Sequence, residues 1–90
     1  MLRRSLLMLI LGCRLAMADP ATLELNQANR AQLESLPGIG PALAERMLEA
    51  REKQAFSDWA DLLRRVQGIG RSSARKLSDQ GLRINGQPIP

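Results

Sequence analysis

The chain has 90 residues, with 13 Lys or Arg against nine Asp or Glu, no histidine and one cysteine. This content argues against a metal site and against a histidine or thiol nucleophile. Phe56 and Trp59 are the only aromatic residues, so the chain also lacks the row of aromatic platforms on which many proteins stack single-stranded bases.

Residues 1–18 have the three parts of a secretory signal peptide. Two arginines stand near the start, a short apolar run follows, and the segment ends in Ala-Met-Ala, the pattern of a cleavage site. The apolar run is too short to span a bilayer. We therefore predict an exported, periplasmic protein that is cleaved near Ala18. A lipid anchor on Cys13, as in lipoprotein signals, is the alternative.

Cleavage of this leader would change the charge of the protein. The full chain has a formal charge of +4, but the part from Asp19 keeps ten basic and nine acidic side chains. The total charge therefore says little about partners, and the positions of the basic residues matter more. Pro20 opens a predicted flexible arm at residues 19–25, ahead of a folded domain at 26–85 and a frayed tail at 86–90.

The sequence Leu-Pro-Gly-Ile-Gly at residues 36–40 returns thirty residues later as Val-Gln-Gly-Ile-Gly at 66–70. A pattern that returns at a fixed period indicates a duplicated supersecondary unit, here a helix, a tight glycine turn and a second helix. In each turn the first glycine permits an unusual backbone angle, the isoleucine can point inward and the second glycine admits a close ligand. The turn residues are Gly38, Ile39, Gly40, Gly68, Ile69 and Gly70.

Local signals predict where four helices begin and end. Asn29 and Gln32 resemble a capping box at the start of the first helix, and Pro41 fits the first turn of the second. Phe56 is predicted to fill the core between the repeats, and Trp59 to lie at the core edge rather than between bases. We predict a first helix over about 30–35 and a second helix that begins at Pro41. The third helix has Ser57 as its N-cap and runs to about Arg65, and the fourth runs over about 71–80.

The two copies differ in the groups that they offer to an anion. A helix N-terminus presents unpaired amides and the positive end of the helix dipole. After Gly40, Pro41 supplies no N–H and the next two residues have apolar side chains. The second copy supplies three amides, two hydroxyls and several cations. The residues predicted to bind phosphate are the six turn residues named above with Arg71, Ser72, Ser73, Arg75 and Lys76. The alternative is that the cations of the second copy form only a solvent-exposed helix face and bind no ligand.

Four other arginines have competing explanations. Arg46 and Arg51 have glutamates nearby in the sequence, so we expect ion pairs there more than phosphate contacts. Arg64 and Arg65 precede the second turn, and for them both roles stay open.

The doubled motif resembles a known family. The pattern Leu-x-x-Leu-Pro-Gly-Ile-Gly-x-x-x-Ala-x-x-Met, followed by Phe56, Asp61-Leu62 and a second Gly-Ile-Gly, is similar to a tandem helix-hairpin-helix domain. More narrowly, it resembles the ComEA family of bacterial competence proteins, which receive transforming DNA outside the cytoplasmic membrane. The match runs from about Asn26 to about Ile84. The resemblance implies non-specific duplex binding through the phosphate backbone, with each hairpin addressing one strand across the minor groove.

From these patterns we expect an all-α fold, a small tandem helix-hairpin-helix (HhH)2 bundle after a signal peptide. The expected function is sequence-independent binding of double-stranded DNA by an exported receptor or ratchet in DNA uptake, with an uptake channel or pilus machinery as a further partner. We expect no enzyme activity, cofactor, metal or small-molecule substrate. The alternative is an exported helix-hairpin-helix module that binds a protein partner, resembling the extrinsic subunit of photosystem II.

Overall fold

The computed structural model describes residues 22–90, so the predicted leader and Cys13 lie outside the described residues. The described chain forms β1 (Leu23–Glu24), α1 (Arg30–Glu34), α2 (Pro41–Lys53), α3 (Trp59–Arg65), α4 (Arg71–Asp79) and β2 (Leu82–Arg83). The predicted tandem helix-hairpin-helix bundle is therefore confirmed, and the structure adds a small parallel sheet of two strands, each two residues long. Among these described helices, none has both the length and the hydropathy needed to cross a membrane.

The first two helices begin where the sequence places them. The Asn29 side chain accepts a hydrogen bond from the Gln32 amide (2.7 Å), and the Gln32 side chain accepts one from the Asn29 amide (2.9 Å). This is the predicted capping box at the start of α1. Pro41 occupies the first turn of α2, where its missing N–H breaks no intrahelical bond.

The N-cap of α3 differs from the prediction. Asp58, not Ser57, caps the helix, because its carboxylate accepts from the amide of Asp61 at 2.8 Å. The amide of Ser57 instead donates to the Asp61 carboxylate at 3.0 Å. Two carboxylates three residues apart thus satisfy both amides, and the serine hydroxyl is not needed as a cap.

Both repeats contribute to one core. Ile39 and Ile69, the central residues of the two turns, are only 4% and 7% exposed, and Phe56 between the repeats is 1% exposed. These inward positions agree with the sequence prediction. The fully or almost fully buried side chains also include Leu25, Leu33, Met47, Leu62, Leu82 and Ile84. Among residues 22–90, the core cluster extends from Leu25 to Ile84, and Leu23 and Ile89 pack against it.

The ends of the described chain differ from the predicted flexible arm and frayed tail. Leu23 pairs with Leu82 in the parallel sheet, and Leu25 is fully buried. In the tail, the Gly86 amide donates to the Glu24 carboxylate at 2.8 Å, and the Ile89 amide donates to Ser78 Oγ at 3.0 Å. Residues 22–25 and 86–90 therefore belong to the folded unit, because long-range pairing supplies bonds that local sequence patterns do not indicate.

Candidate functional site

The two turns have nearly identical backbones. Gly38 has a φ of +99° and Gly68 a φ of +98°, a region that residues with a Cβ rarely adopt. In the first turn the Ile39 amide donates to the Leu36 carbonyl at 3.0 Å, which fits a type II turn with its glycine in third position. The repeat in the sequence is therefore a repeat in backbone geometry.

The second glycine of each turn begins the next helix without a capping side chain. Gly40 and Gly70 are the N-caps of α2 and α4, and neither helix start has a side-chain hydrogen bond. A Cβ at Gly38, Gly40 or Gly70 would meet no atom within 4 Å. Each helix start is thus open to an approaching ligand at the positive end of the helix dipole. Ile39 and Ile69 face the core, so only their backbone groups can take part in such a site.

One cleft brings the two turns together. It has a volume of about 350 Å³ and is lined by residues that include Pro37 and Gly38 of the first turn, Gly68 of the second, and Ser73 and Lys76 of α4. Residues that are thirty or more positions apart in the sequence therefore form one concave surface. A ligand in this cleft can contact both hairpins at once.

The start of α4 combines exposed donors and cations. Ala74 N donates to Gly70 O at 2.9 Å as the first helical bond, so the amides of residues 71–73 have no intrahelical acceptor. Arg71, Ser72, Ser73, Arg75 and Lys76 are all exposed. Among residues 22–90, none of the three cations in this set forms an ion pair with a carboxylate. The second hairpin therefore presents an unneutralised positive surface.

The first hairpin carries a carboxylate where the second carries a cation. Glu45 occupies the position equivalent to Arg75 and forms an ion pair with Arg30, which also pairs with Glu34 at 3.5 Å. The hydrogen bond and charge of the Arg30 guanidinium lower the pKa of Glu45. Both carboxylates are thus engaged by arginine. Residues 22–90 contain no group of three or more His, Cys, Asp or Glu that could hold a metal ion.

Arg51 does not form the ion pair expected from the sequence. Its Nη1 donates to the carbonyls of Leu25 at 2.8 Å and Ala28 at 2.5 Å. Arg51 thus fixes the segment before α1 onto α2, because the fold brings backbone acceptors closer than the neighbouring glutamates.

Arg65 also has a structural position. Its guanidinium donates to the carbonyls of Ala50 at 2.7 Å and Gln54 at 2.8 Å, and it lies 4.7 Å from the centroid of the Phe56 ring. It also pairs with Asp61 at 2.9 Å. These contacts join α3 to the end of α2 and leave Arg65 little capacity for a ligand.

Arg46 makes a contact that the sequence did not predict. Its Nε donates to the carbonyl of Gln67 at 2.9 Å, so this side chain of the first repeat lies at the turn of the second repeat. The expected glutamate pair is absent among residues 22–90. The sequence contains one indication of a repeated role: Lys76, thirty residues later, is also a cation at the equivalent position of the second repeat.

Trp59 lies within the core, deeper than the core edge predicted from the sequence, and not at a ligand surface. It is 3% exposed, and its Nε1 donates to the carbonyl of Gln87 at 2.9 Å. An indole that is buried and hydrogen-bonded in this way is not available to insert between bases.

A family model described as the helix-hairpin-helix motif matches residues 21–80, two thirds of the chain. The matched region contains both glycine turns and all four described helices. No curated protein and no solved structure matches the chain. Helix-hairpin-helix motifs are in general nucleic-acid-binding modules. The paired turns, the helices around them and this match together show that the chain belongs to the helix-hairpin-helix family.

Proposed function

We propose that this protein binds double-stranded DNA without sequence preference, outside the cytoplasmic membrane, as a receptor or ratchet in DNA uptake. The observation that best supports DNA binding is the start of α4. There, unpaired amides, two hydroxyls and three exposed cations adjoin a cleft that both turns line. Each of these amides, hydroxyls and cations suits a phosphate oxygen.

Binding proceeds through the phosphate backbone. The amides of residues 71–73 and the hydroxyls of Ser72 and Ser73 donate to phosphate oxygens, and Arg71 and Arg75 lie one helical turn apart on one face. Phosphate contacts position a protein on DNA but do not read its sequence. They also release counterions, so affinity falls steeply with salt, and a domain making on the order of three to five contacts binds in the micromolar range or weaker at physiological salt.

A duplex suits this surface better than a single strand. Phe56 and Trp59 are buried at 1% and 3% exposure, so neither can serve as a stacking platform for unpaired bases. Two turns on one cleft, by contrast, can reach two phosphate strands across a groove.

The location and the role in uptake are supported by the sequence. The signal-peptide pattern at residues 1–18 and the resemblance to the ComEA family favour an exported protein that receives DNA. Weak binding by one small domain fits this role when several copies bind one long duplex, because linked weak contacts give a high avidity. We propose no catalytic step, since the buried carboxylate of Asp61 is occupied by structural hydrogen bonds.

A protein partner is the second candidate function. Residues 22–90 contain ten basic and eight acidic side chains, so the described domain is nearly neutral. Pro41 removes one donor from the first hairpin, and Glu45 adds a carboxylate to it. These features suit a protein surface better than they suit phosphate.

The test is a fluorescence-anisotropy titration of residues 19–90 with a labelled random duplex at 50 and 200 mM salt. The double variant Arg71→Ala/Arg75→Ala removes two cations from α4. We expect the wild type to bind with strong salt dependence and the double variant to lose most of that affinity, because about two phosphate contacts disappear.

A matched control changes the charge elsewhere. Lys53→Glu lowers the formal charge by the same two units at one exposed position on α2. Its affinity should stay closer to that of the wild type. Equal losses in this variant and in the double variant would mean that total charge, not the second hairpin, governs binding. No binding at 50 mM salt would reject the DNA proposal and favour the protein partner.

A further inference from the structure

Arg46 and Lys76 occupy the same position in the two repeats. Each follows the second glycine of its turn by six residues, and the two lie thirty residues apart. Both are exposed, and neither pairs with a carboxylate among residues 22–90. A cation that is repeated at an exposed position and pairs with no carboxylate calls for an explanation from its surroundings.

Arg46 lies on the turn of the opposite repeat. Its Nε donates to the Gln67 carbonyl at 2.9 Å. Its Nη2 is so close to Gly68 that a Cβ placed on that glycine would stand 2.7 Å from it. The guanidinium of the first repeat is therefore fixed beside the second turn, with Nε at the Gln67 carbonyl and Nη2 beside Gly68.

Lys76 has the complementary placement. It lines the cleft together with Pro37 and Gly38, which form the first turn. Arg46 of the first repeat thus contacts the second turn, and Lys76 of the second repeat lines a cleft with residues of the first turn. This placement changes the assignment of Lys76. The sequence alone assigns it to the phosphate site of the second hairpin, whereas the structure places it in a cleft with residues of the first turn.

We propose that each turn is one half of a phosphodiester site that a cation of the opposite repeat completes, Arg46 at the second turn and Lys76 at the first. This inference rests on the proposed binding of duplex DNA and extends it to a residue outside the predicted site. It also accounts for the weaker first hairpin, since Lys76 supplies a charge that Pro41 and Ala42 do not. Neither site is complete unless the two repeats are docked.

The geometry at Arg46 suits a phosphate. A guanidinium has five N–H donors in a fixed plane. The bond from Nε to the Gln67 carbonyl holds that plane in one orientation, so less conformational freedom is lost when the Nη atoms donate to a phosphate. Gly68 has no side chain to obstruct the approach. A lysine at this position would keep the charge but lose the anchored orientation.

The test compares duplex affinity for the wild type, Arg46→Ala and Lys53→Ala in residues 19–90 between 50 and 200 mM salt. Lys53 is the matched control, because it is an exposed cation on the same helix, seven residues after Arg46, and among residues 22–90 it forms no hydrogen bond with the second turn. Loss of one phosphate contact makes the salt slope shallower by about 0.9. The ratio of wild-type to Arg46→Ala affinity should therefore be about three- to fourfold larger at 50 mM than at 200 mM salt. For Lys53→Ala the ratio should change little.

The salt slope separates a ligand contact from a structural role. If Arg46 only supports the turn, Arg46→Ala lowers the unfolding midpoint but leaves the slope of the folded protein at the wild-type value, which would overturn the inference. Arg46→Lys should restore the slope and only part of the affinity. A wild type that binds no duplex would overturn the proposed function and this inference together, whereas normal binding with an unchanged Arg46→Ala slope overturns this inference alone.

A second measurement does not depend on the folding of a variant. The Nε–H resonance of Arg46 in the wild type can be followed by NMR while a short duplex is added. We expect it to shift together with the Gly68 amide. An Arg46 signal that stays in place while the amides of residues 71–73 shift would also overturn the inference.

Discussion

Asp61 shows how one side chain can join several elements. It is 6% exposed, and its carboxylate accepts from the Ser57 amide at 3.0 Å, from Arg64 at 2.7 Å and from Arg65 at 2.9 Å. The hydrogen bond from Ser57 is the main cause of its lowered pKa, and Arg65 adds to the effect. Because Arg65 also donates to the end of α2, removal of the Asp61 charge should weaken the contact between the repeats.

We predict that Asp61→Asn lowers the free energy of unfolding by about 2 kcal/mol at pH 7, since hydrogen bonds to a charged acceptor are lost. The pKa of Asp61 is lower in the folded than in the unfolded state, where it is about 3.9. Its contribution is therefore present above that value and disappears as the pH falls through the lower folded value. Urea unfolding at pH 7 and at pH 3 measures the difference.

The control for this prediction is Asp79→Asn. Asp79 is exposed and forms no ion pair among residues 22–90, so its replacement should change the stability by less than about 0.5 kcal/mol at either pH. An Asp61→Asn effect of equal size at pH 3 and pH 7 would show that side-chain packing, not the charge, is responsible.

At the scale of the element, the two glycines of a turn have separable roles. Gly38 has a φ of +99°, so Gly38→Ala strains the backbone although its Cβ would meet no atom within 4 Å. Gly70 has an ordinary φ of −102° and equally open space around a Cβ. The first glycine is thus needed for the shape of the turn, and the second leaves space in front of a helix start.

We predict opposite consequences for the two substitutions. Gly38→Ala should lower the free energy of unfolding by about 1–2 kcal/mol through backbone strain. Gly70→Ala should cost less than about 1 kcal/mol but weaken duplex binding by about threefold or more at 50 mM salt, because the methyl group occupies the space that a phosphate would enter. Urea unfolding and anisotropy on both variants give the comparison. A Gly70→Ala protein with wild-type affinity would mean that the open helix start is not a contact point.

Features that depend on neighbouring residues could be predicted from the sequence. The long-range hydrogen-bond partners of the arginines could not. The capping box at Asn29, the start of α2 at Pro41 and the inward turn of Ile39 follow from neighbours within a few residues. The backbone carbonyls that accept from Arg46, Arg51 and Arg65 lie between 10 and 26 residues away, so no nearby residue identifies them. For that reason the sequence predicts a phosphate site at the second hairpin but does not indicate that Arg46 of the first repeat contacts the turn there.

At the scale of the whole molecule, the two ends of the described chain hold each other. The Glu24 carboxylate accepts from the amides of Asn26 at 3.3 Å, Asn85 at 2.9 Å and Gly86 at 2.8 Å. The Asn26 side chain in turn bonds both backbone groups of Phe56, at 2.9 and 2.8 Å. The first strand, the connector between the repeats and the tail are thus one hydrogen-bonded network. This network encloses the core on the side of Phe56.

The last prediction concerns the tail in this network. Deletion of residues 85–90 removes two of the three donors to Glu24, the acceptor of Trp59 at Gln87, and the bond between Ile89 and Ser78. Each such bond contributes about 1 kcal/mol net, but the freed residues regain conformational entropy. We expect the free energy of unfolding to fall by on the order of 2 kcal/mol, measured by urea unfolding.

Deletion of Pro90 alone is the matched control, because Pro90 is exposed and should contribute little. The change in stability should be accompanied by greater exposure of Trp59, which is the only tryptophan and therefore reports on the tail by its fluorescence. A frayed tail would leave both the stability and the emission of Trp59 unchanged on deletion. A packed tail changes both, since the indole then loses its acceptor and part of its cover while the two hairpins remain intact.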